Sequence, residues 1–299
     1  MGILVGPATR VLCFGSTGAA LDAAVSRMLS AGTAVVAVLD PGGRPDGHDG
    51  APAFDTAAQA ARETGANAAI VLLPPDAAAD AMMEAIDAAL PLIVCATRGV
   101  PARDMVKVIN YLEGSADLTG PRHSEGNTLL LGPGSAGVIT PGAGMVGLLD
   151  VEAFSPGPAA VVACSQYLAE SAAELLTRHK IGQSACLVTG SALISATRLA
   201  DALGMLEADP DTEVIVLIGG IGGSAEVEAA AFIKDAVRKP VIACLPGRSA
   251  PPGVNLGADG DFACATPDEV RDKAAALREA GALVVPGLDH LAGAVAGKL

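Results

Sequence analysis

Short apolar runs without polar alternation recur along the chain, separated by Ala-rich stretches with helical spacing. Runs of that kind read as strands buried on both faces, and their regular alternation with helices predicts parallel α/β sheets covered on both sides. In the first half the predicted strands are 10–14, 34–39, 69–73, 92–96 and 128–131, with helices over 19–31, 56–63, 77–89 and 101–112. The second half repeats the theme with strands 159–164, 184–188, 214–218, 241–245 and 283–285 and helices 168–179, 192–207, 226–236 and 267–280. Between them the Gly/Pro-rich stretch 140–158 reads as a linker, so the division is expected near residue 150, giving units 1–150 and 151–299. Residues 40–50 and 113–127 are polar and glycine-rich and read as loops.

Composition narrows the function classes. At 299 residues and 51% hydrophobic, the chain can bury one large core or two ordinary ones. Nineteen Lys and Arg against 33 Asp and Glu give a net charge of −14, which repels a nucleic-acid backbone and gives no sign of a basic groove. No apolar run reaches the roughly 18 residues of a membrane span, and no charged leader precedes an apolar core, so a cytoplasmic protein is expected. The six cysteines lack CxxC spacing, and most lie inside predicted strands as small hydrophobes; Cys164, just before a helix, is the one that could be activated. With 2% aromatic residues and no Trp, the chain has no stacking platform for a base.

The chemistry-bearing patterns are two glycine-rich turns. Gly15, Ser16, Thr17 and Gly18 open a helix straight after the first strand, where free backbone N–H groups and the helix dipole favour phosphate; a third glycine is missing. In the second half Gly219-Gly-Ile-Gly-Gly223 sits in the same strand-to-helix position, with Ser165 and Gln166 starting another helix. Gly222, Gly223, Ser165 and Gln166 are therefore the anion-binding candidates there.

A collinear set of blocks extends these patterns: Gly15-Ser-Thr-Gly18, Thr64-Gly-Ala66, Gly99-Val-Pro-Ala-Arg-Asp-Met105, Gly132-Pro133, Gly137-Val-Ile-Thr-Pro-Gly142, Asp209-Pro-Asp-Thr-Glu213 and Ile218-Gly-Gly-Ile-Gly-Gly-Ser-Ala-Glu226. In this order they resemble the α subunit of succinyl-CoA synthetase and its malate-CoA and citrate-CoA ligase relatives. The resemblance implies an N-terminal Rossmann-like CoA-binding domain followed by a flavodoxin-like ligase domain. It also implies coenzyme A as cofactor, an ATP-grasp β subunit as partner, and a small carboxylic acid or acyl-CoA as substrate. Carried over residue by residue, it assigns CoA to Gly15, Ser16, Thr17 and Gly18, to Pro74 after the third strand, and to Arg44, which stands beside Gly43 where the family has lysine.

The same resemblance marks departures. The family's phosphohistidine falls at Ala258, the glutamate that steadies it at Gly220, its Gly-Gly-Asp-Pro turn at Thr189-Gly-Ser-Ala192, and the glutamate before Gly-Ile-Pro at Arg98. Alanine has no nucleophile, so a phosphohistidine at 258 is excluded. Asp259 and Asp261 flank the lost position, and His48, His123, His179 and His290 are the remaining imidazoles, His179 reading as a helix end. Three functions stay open: a CoA-binding subunit in acyl-CoA chemistry, an acyl or carbamoyl transferase on the same scaffold, and a non-catalytic pseudoenzyme that senses CoA or stabilises a partner.

Overall fold

A computed structural model describes residues 4–16, 18–40, 50–115, 128–190, 192–248, 250–251 and 266–299. The first unit runs β1 (Arg10–Phe14), α1 (Ala19–Ser30), β2 (Ala34–Leu39), α2 (Ala57–Thr64), β3 (Ala68–Val71), α3 (Ala78–Asp87), β4 (Leu92–Cys95), α4 (Ala102–Ser115) and β5 (Leu129–Leu131). All pairings are parallel, in the order β2-β1-β3-β4-β5. Successive strand residues point to opposite faces, so Val11, Cys13, Ile70 and Val94 enter one apolar cluster while Leu12, Phe14, Ala69 and Ile93 enter another. Burial on both faces is why these strands carry no polar alternation.

The second unit comprises β6 (Gly137–Thr140), β7 (Gly144–Gly147), β8 (Pro156–Ala163), α5 (Gln166–Arg178), β9 (Gln183–Val188), α6 (Leu199–Ala208), β10 (Val214–Ile218), α7 (Ala225–Ala236), β11 (Val241–Cys244), α8 (Pro267–Glu279), β12 (Leu283–Val285) and α9 (Leu291–Ala296). Its sheet has the order β12-β11-β10-β8-β9-β6-β7. Its five parallel strands repeat the strand order of the first sheet. In each, the order reverses between the unit's first and third parallel strands, β1 and β3 or β8 and β10, and ligands of open α/β sheets bind at the carboxyl ends beside such a reversal.

Two expectations change. The stretch read as a linker contains the hairpin β6–β7, which pairs antiparallel with β9 and so joins the second sheet ahead of residue 150. Its glycines allow two backbones to touch: a Cβ on Gly137 (φ +95°) would lie 1.9 Å from the Val146 carbonyl oxygen. The helix expected from 192 begins at Leu199, where Asp201 accepts from the backbone N–H of Arg198 at 3.0 Å. The residues before it instead reach the first sheet, Thr197 Oγ1 donating to Leu130 O at 2.6 Å and Ala196 N to Gly132 O at 3.1 Å. Met145 N donates to Thr33 Oγ1 at 2.7 Å, and Arg27 bonds the Leu148 carbonyl, so the hairpin is also fastened to the first unit. Of the loop expected over 113–127, residues 113–115 continue α4 and the others lie outside the described residues.

Candidate functional site

At the first reversal point most of the described residues are exposed. Gly15 is buried where β1 ends, its N–H donating to Leu39 O at 3.0 Å, while Ser16, Gly18, Ala19 and Ala20 are exposed. Gly18 is the N-cap of α1 without a side-chain capping bond, and Asp22 is the acid of the first turn. The helix start thus presents backbone amides outward at the sheet edge, which suits a phosphate. Pro74 is exposed just beyond β3, its carbonyl accepting from Ala77 N and Ala78 N, so it starts the turn into α3 on the neighbouring strand. Gly15, Ser16, Gly18 and Pro74 therefore share the carboxyl edge of adjacent strands; Thr17 and Arg44 lie outside the described residues.

At the second reversal point the glycine turn is braced from within. The Gly220 N–H donates to Glu226 Oε1 at 2.5 Å, and Glu226 Oε2 lies 2.9 Å from Lys273 Nζ, the two side chains being 1% and 4% exposed. Lys273 also donates to the carbonyls of Gly220 at 3.2 Å and Gly222 at 2.7 Å. A buried charge pair spanning α7 and α8 thereby fastens both the donor and acceptor groups of the glycine turn. Sequence reasoning missed this pair. Its signal was a lysine among Val270, Ala274 and Leu277, the buried positions of α8.

Of the remaining candidates, Ser165 is the N-cap of α5 and makes no side-chain capping bond. Gln166 turns its amide inward, donating to Leu148 O at 3.1 Å and Glu170 Oε1 at 2.9 Å, and the adjacent Tyr167 is 75% exposed. Gly223 borders a cleft of 540 Å³ between the ends of β8 and β9 and the start of α7, lined in part by Cys164, Thr189, Leu193, Ile194, Arg198 and Ser224. Thr189 Oγ1 donates to Cys164 Sγ at 3.7 Å, and Arg198 is paired with Asp201 at 2.9 Å. Cys164 is half-buried, whereas Cys13, Cys95, Cys186 and Cys244 are buried as expected. Burial pushes the Cys13 and Cys95 thiols up to about 12.

His179 caps α5 at its carboxyl end, its Nδ1 2.8 Å from Leu175 O, and His290 pairs with Asp289 at 2.9 Å. Ala258, Asp259, Asp261, Gly43, His48, His123 and Cys264 lie outside the described residues. Among the described residues no group of three or more His, Cys, Asp or Glu could hold a metal, and no helix is long and apolar enough to cross a membrane.

Comparison with known proteins places this geometry. Residues 7–99 match the CoA binding domain family, and residues 156–297 match the succinyl-CoA ligase like flavodoxin domain. The chain is 37% identical to the succinate–CoA ligase [ADP-forming] subunit alpha of Aquifex aeolicus, covering 95% of this chain and 90% of that one. It is 37% identical to the malate–CoA ligase subunit alpha of Methylorubrum extorquens, covering 96% and 94%. In fold it is similar to the ATP citrate lyase of Methanosaeta concilii solved with (3S)-citryl-CoA, with TM-score 0.79 and 20% identity; the match covers 98% of this chain and 50% of that one, about half its length. The chain belongs to the succinate and malate–CoA ligase α-subunit family, with a CoA-binding domain ahead of a succinyl-CoA ligase-like flavodoxin domain.

Proposed function

We propose that this chain is a CoA-holding subunit of the α type that works in the cytoplasm in acyl-CoA chemistry, paired with an ATP-grasp β subunit and handling a small carboxylic acid or its acyl-CoA. The observation that carries the reading is the start of α1: exposed Ser16, Gly18, Ala19 and Ala20 at the reversal point of the first sheet, with a glycine as the helix N-cap. Backbone amides and the helix dipole there would hold the coenzyme's phosphates, with Gly15 allowing the turn and Pro74 bounding it on the next strand. Arg44 and Thr17 would add a cation and a hydroxyl. Coenzyme A, when bound, supplies the thiol that accepts the acyl group.

With Ala258 in place of histidine, no phosphoryl group is carried at that position. The Glu226 carboxylate is buried, Oε1 accepting from Gly220 N–H and Oε2 in ionic contact with Lys273 Nζ without a hydrogen bond of its own. Incubation with γ-labelled ATP and a β subunit should leave no acid-labile phosphate on this chain.

Calorimetric titration with CoA, with ADP and NAD as controls, tests the coenzyme site. Micromolar binding of CoA, weakened about tenfold (~1.4 kcal/mol) by Ala20→Glu, is expected. The new carboxylate should at the same time stabilise α1 by about 0.3–1 kcal/mol through the helix dipole, so lost binding cannot be ascribed to a lost fold. Absence of CoA binding, or indifference to Ala20→Glu, overturns the assignment.

A further inference from the structure

A separate cleft of 390 Å³ opens on the carboxyl edge of the second sheet beyond β10, β11 and β12. Its volume is in the range of small-molecule sites, about 300–1,000 Å³. Leu168, Ile218, Leu245, Pro246, Pro286 and Leu288 make its walls apolar, and Arg248 is the one cation among the described residues that line it. That arginine is half-satisfied. One terminal nitrogen, Nη2, donates to Val285 O at 3.2 Å, while Nε is buried with no acceptor.

No carboxylate among the described residues forms an ion pair with it. Cys244 lines the cleft, but burial raises its thiol pKa, with Arg248 pulling it down and Asp289 pushing it up, so it is neutral near pH 7. The Asp289 carboxylate stands at the rim, 78% exposed, and pairs with His290. Arg248 as a whole is half-buried where it lines the cleft, and a guanidinium-to-carboxylate hydrogen bond is about twice as strong as a neutral one.

We propose that this cleft binds a small aliphatic monocarboxylate, its carboxylate on Arg248 and its hydrocarbon against Leu245, Pro246 and Leu288. Apolar walls add nothing for inorganic phosphate, and a second carboxylate would be driven into those walls or against Asp289, so dicarboxylates are rejected. General attraction of anions is not the cause, because the chain carries a net charge of −14. The binding rests on the cleft alone; its place in acyl-CoA chemistry rests on the function proposed above.

Calorimetry or NMR titration of the whole chain with sodium acetate, butyrate, succinate and phosphate tests it. Butyrate should bind best, roughly fourfold tighter per methylene than acetate, with succinate and phosphate weakest. Arg248→Met should weaken butyrate by about tenfold or more. Cys244→Leu, which narrows the cleft but keeps the guanidinium, should also weaken it, and it decides the matter if the arginine variant does not fold. Equal binding of all four anions, no butyrate binding, or butyrate binding unchanged in both variants overturns the proposal. Binding of butyrate without CoA keeps this site and sinks the coenzyme assignment; the converse result does the opposite.

Discussion

The two sheets have the same parallel strand order, yet the glycine turns at their reversal points are held differently. At the first, α1 starts at an exposed Gly18 N-cap close to Gly15. At the second, the Gly219–Gly223 turn is occupied by the protein's own charges, Glu226 on an N–H and Lys273 on two carbonyls. The difference teaches that a glycine-rich turn after a strand is a binding site only when its polar groups are left unused. The same residue pattern is left exposed in one half and braced internally in the other.

The strongest way to break this comparison is to remove one partner of the brace. Lys273→Met leaves a buried Glu226 carboxylate unpaired and should cost about 3–5 kcal/mol in urea denaturation, with Lys273→Met/Glu226→Gln recovering much of the loss. A cost below about 1 kcal/mol for the single change would place the charge pair among weak surface pairs and make the two turns alike.

Steric probes should separate the turns by a smaller margin. A Cβ on Gly219 would lie 2.2 Å from Leu245 Cδ2 and 2.9 Å from Glu226 Oε1, so Gly219→Ala should destabilise by about 1–3 kcal/mol. At Gly15 the nearest atom is Leu21 Cδ1 at 3.4 Å, and Gly15→Ala should stay within about 0.5 kcal/mol. Thermal melts of the two variants side by side would show whether the ranking holds.

Alkaline titration asks whether the halves are equally sealed. Buried Cys13 and Cys95 of the first sheet have thiols pushed up to about 12 from 9.0, and burial raises that of Cys186 in the second. Because the folded state prefers the neutral thiol, this stabilisation is whole below pH 9 and is lost as pH rises from 9 toward 12. The loss is about 1.4 kcal/mol per pH unit for each thiol. Cys95→Ala should reduce the slope of stability against pH over that window; an unchanged slope would mean water already reaches the first sheet.

Much of the fold was legible because parallel strands buried on both faces leave a plain mark. Val214–Ile218 and Leu283–Val285 were read with their observed bounds from apolar runs alone. The hairpin was not, since Gly137 and Gly147 look like loop punctuation when they in fact permit strand contact. The start of α6 was misplaced because Ala192–Ile194 has helical composition, while Thr197 is held by a carbonyl on the other sheet. Gly15 and Gly18 were found as a local pattern. Lys273 was not, for it meets the glycine turn only after some fifty residues of intervening chain have folded.

The hairpin has a further consequence for how such a gene can be inherited. β6 covers the outer edge of β9, so a recombination joint placed at residue 151 would deliver a second half whose sheet ends in unpaired N–H and C=O groups. The piece that prevents this is encoded with the first half and is anchored there by Thr33 and Arg27. Exchange between relatives can therefore preserve both halves only when the crossover lies between Leu131 and Gly137, or when the new neighbour brings a matching hairpin of its own.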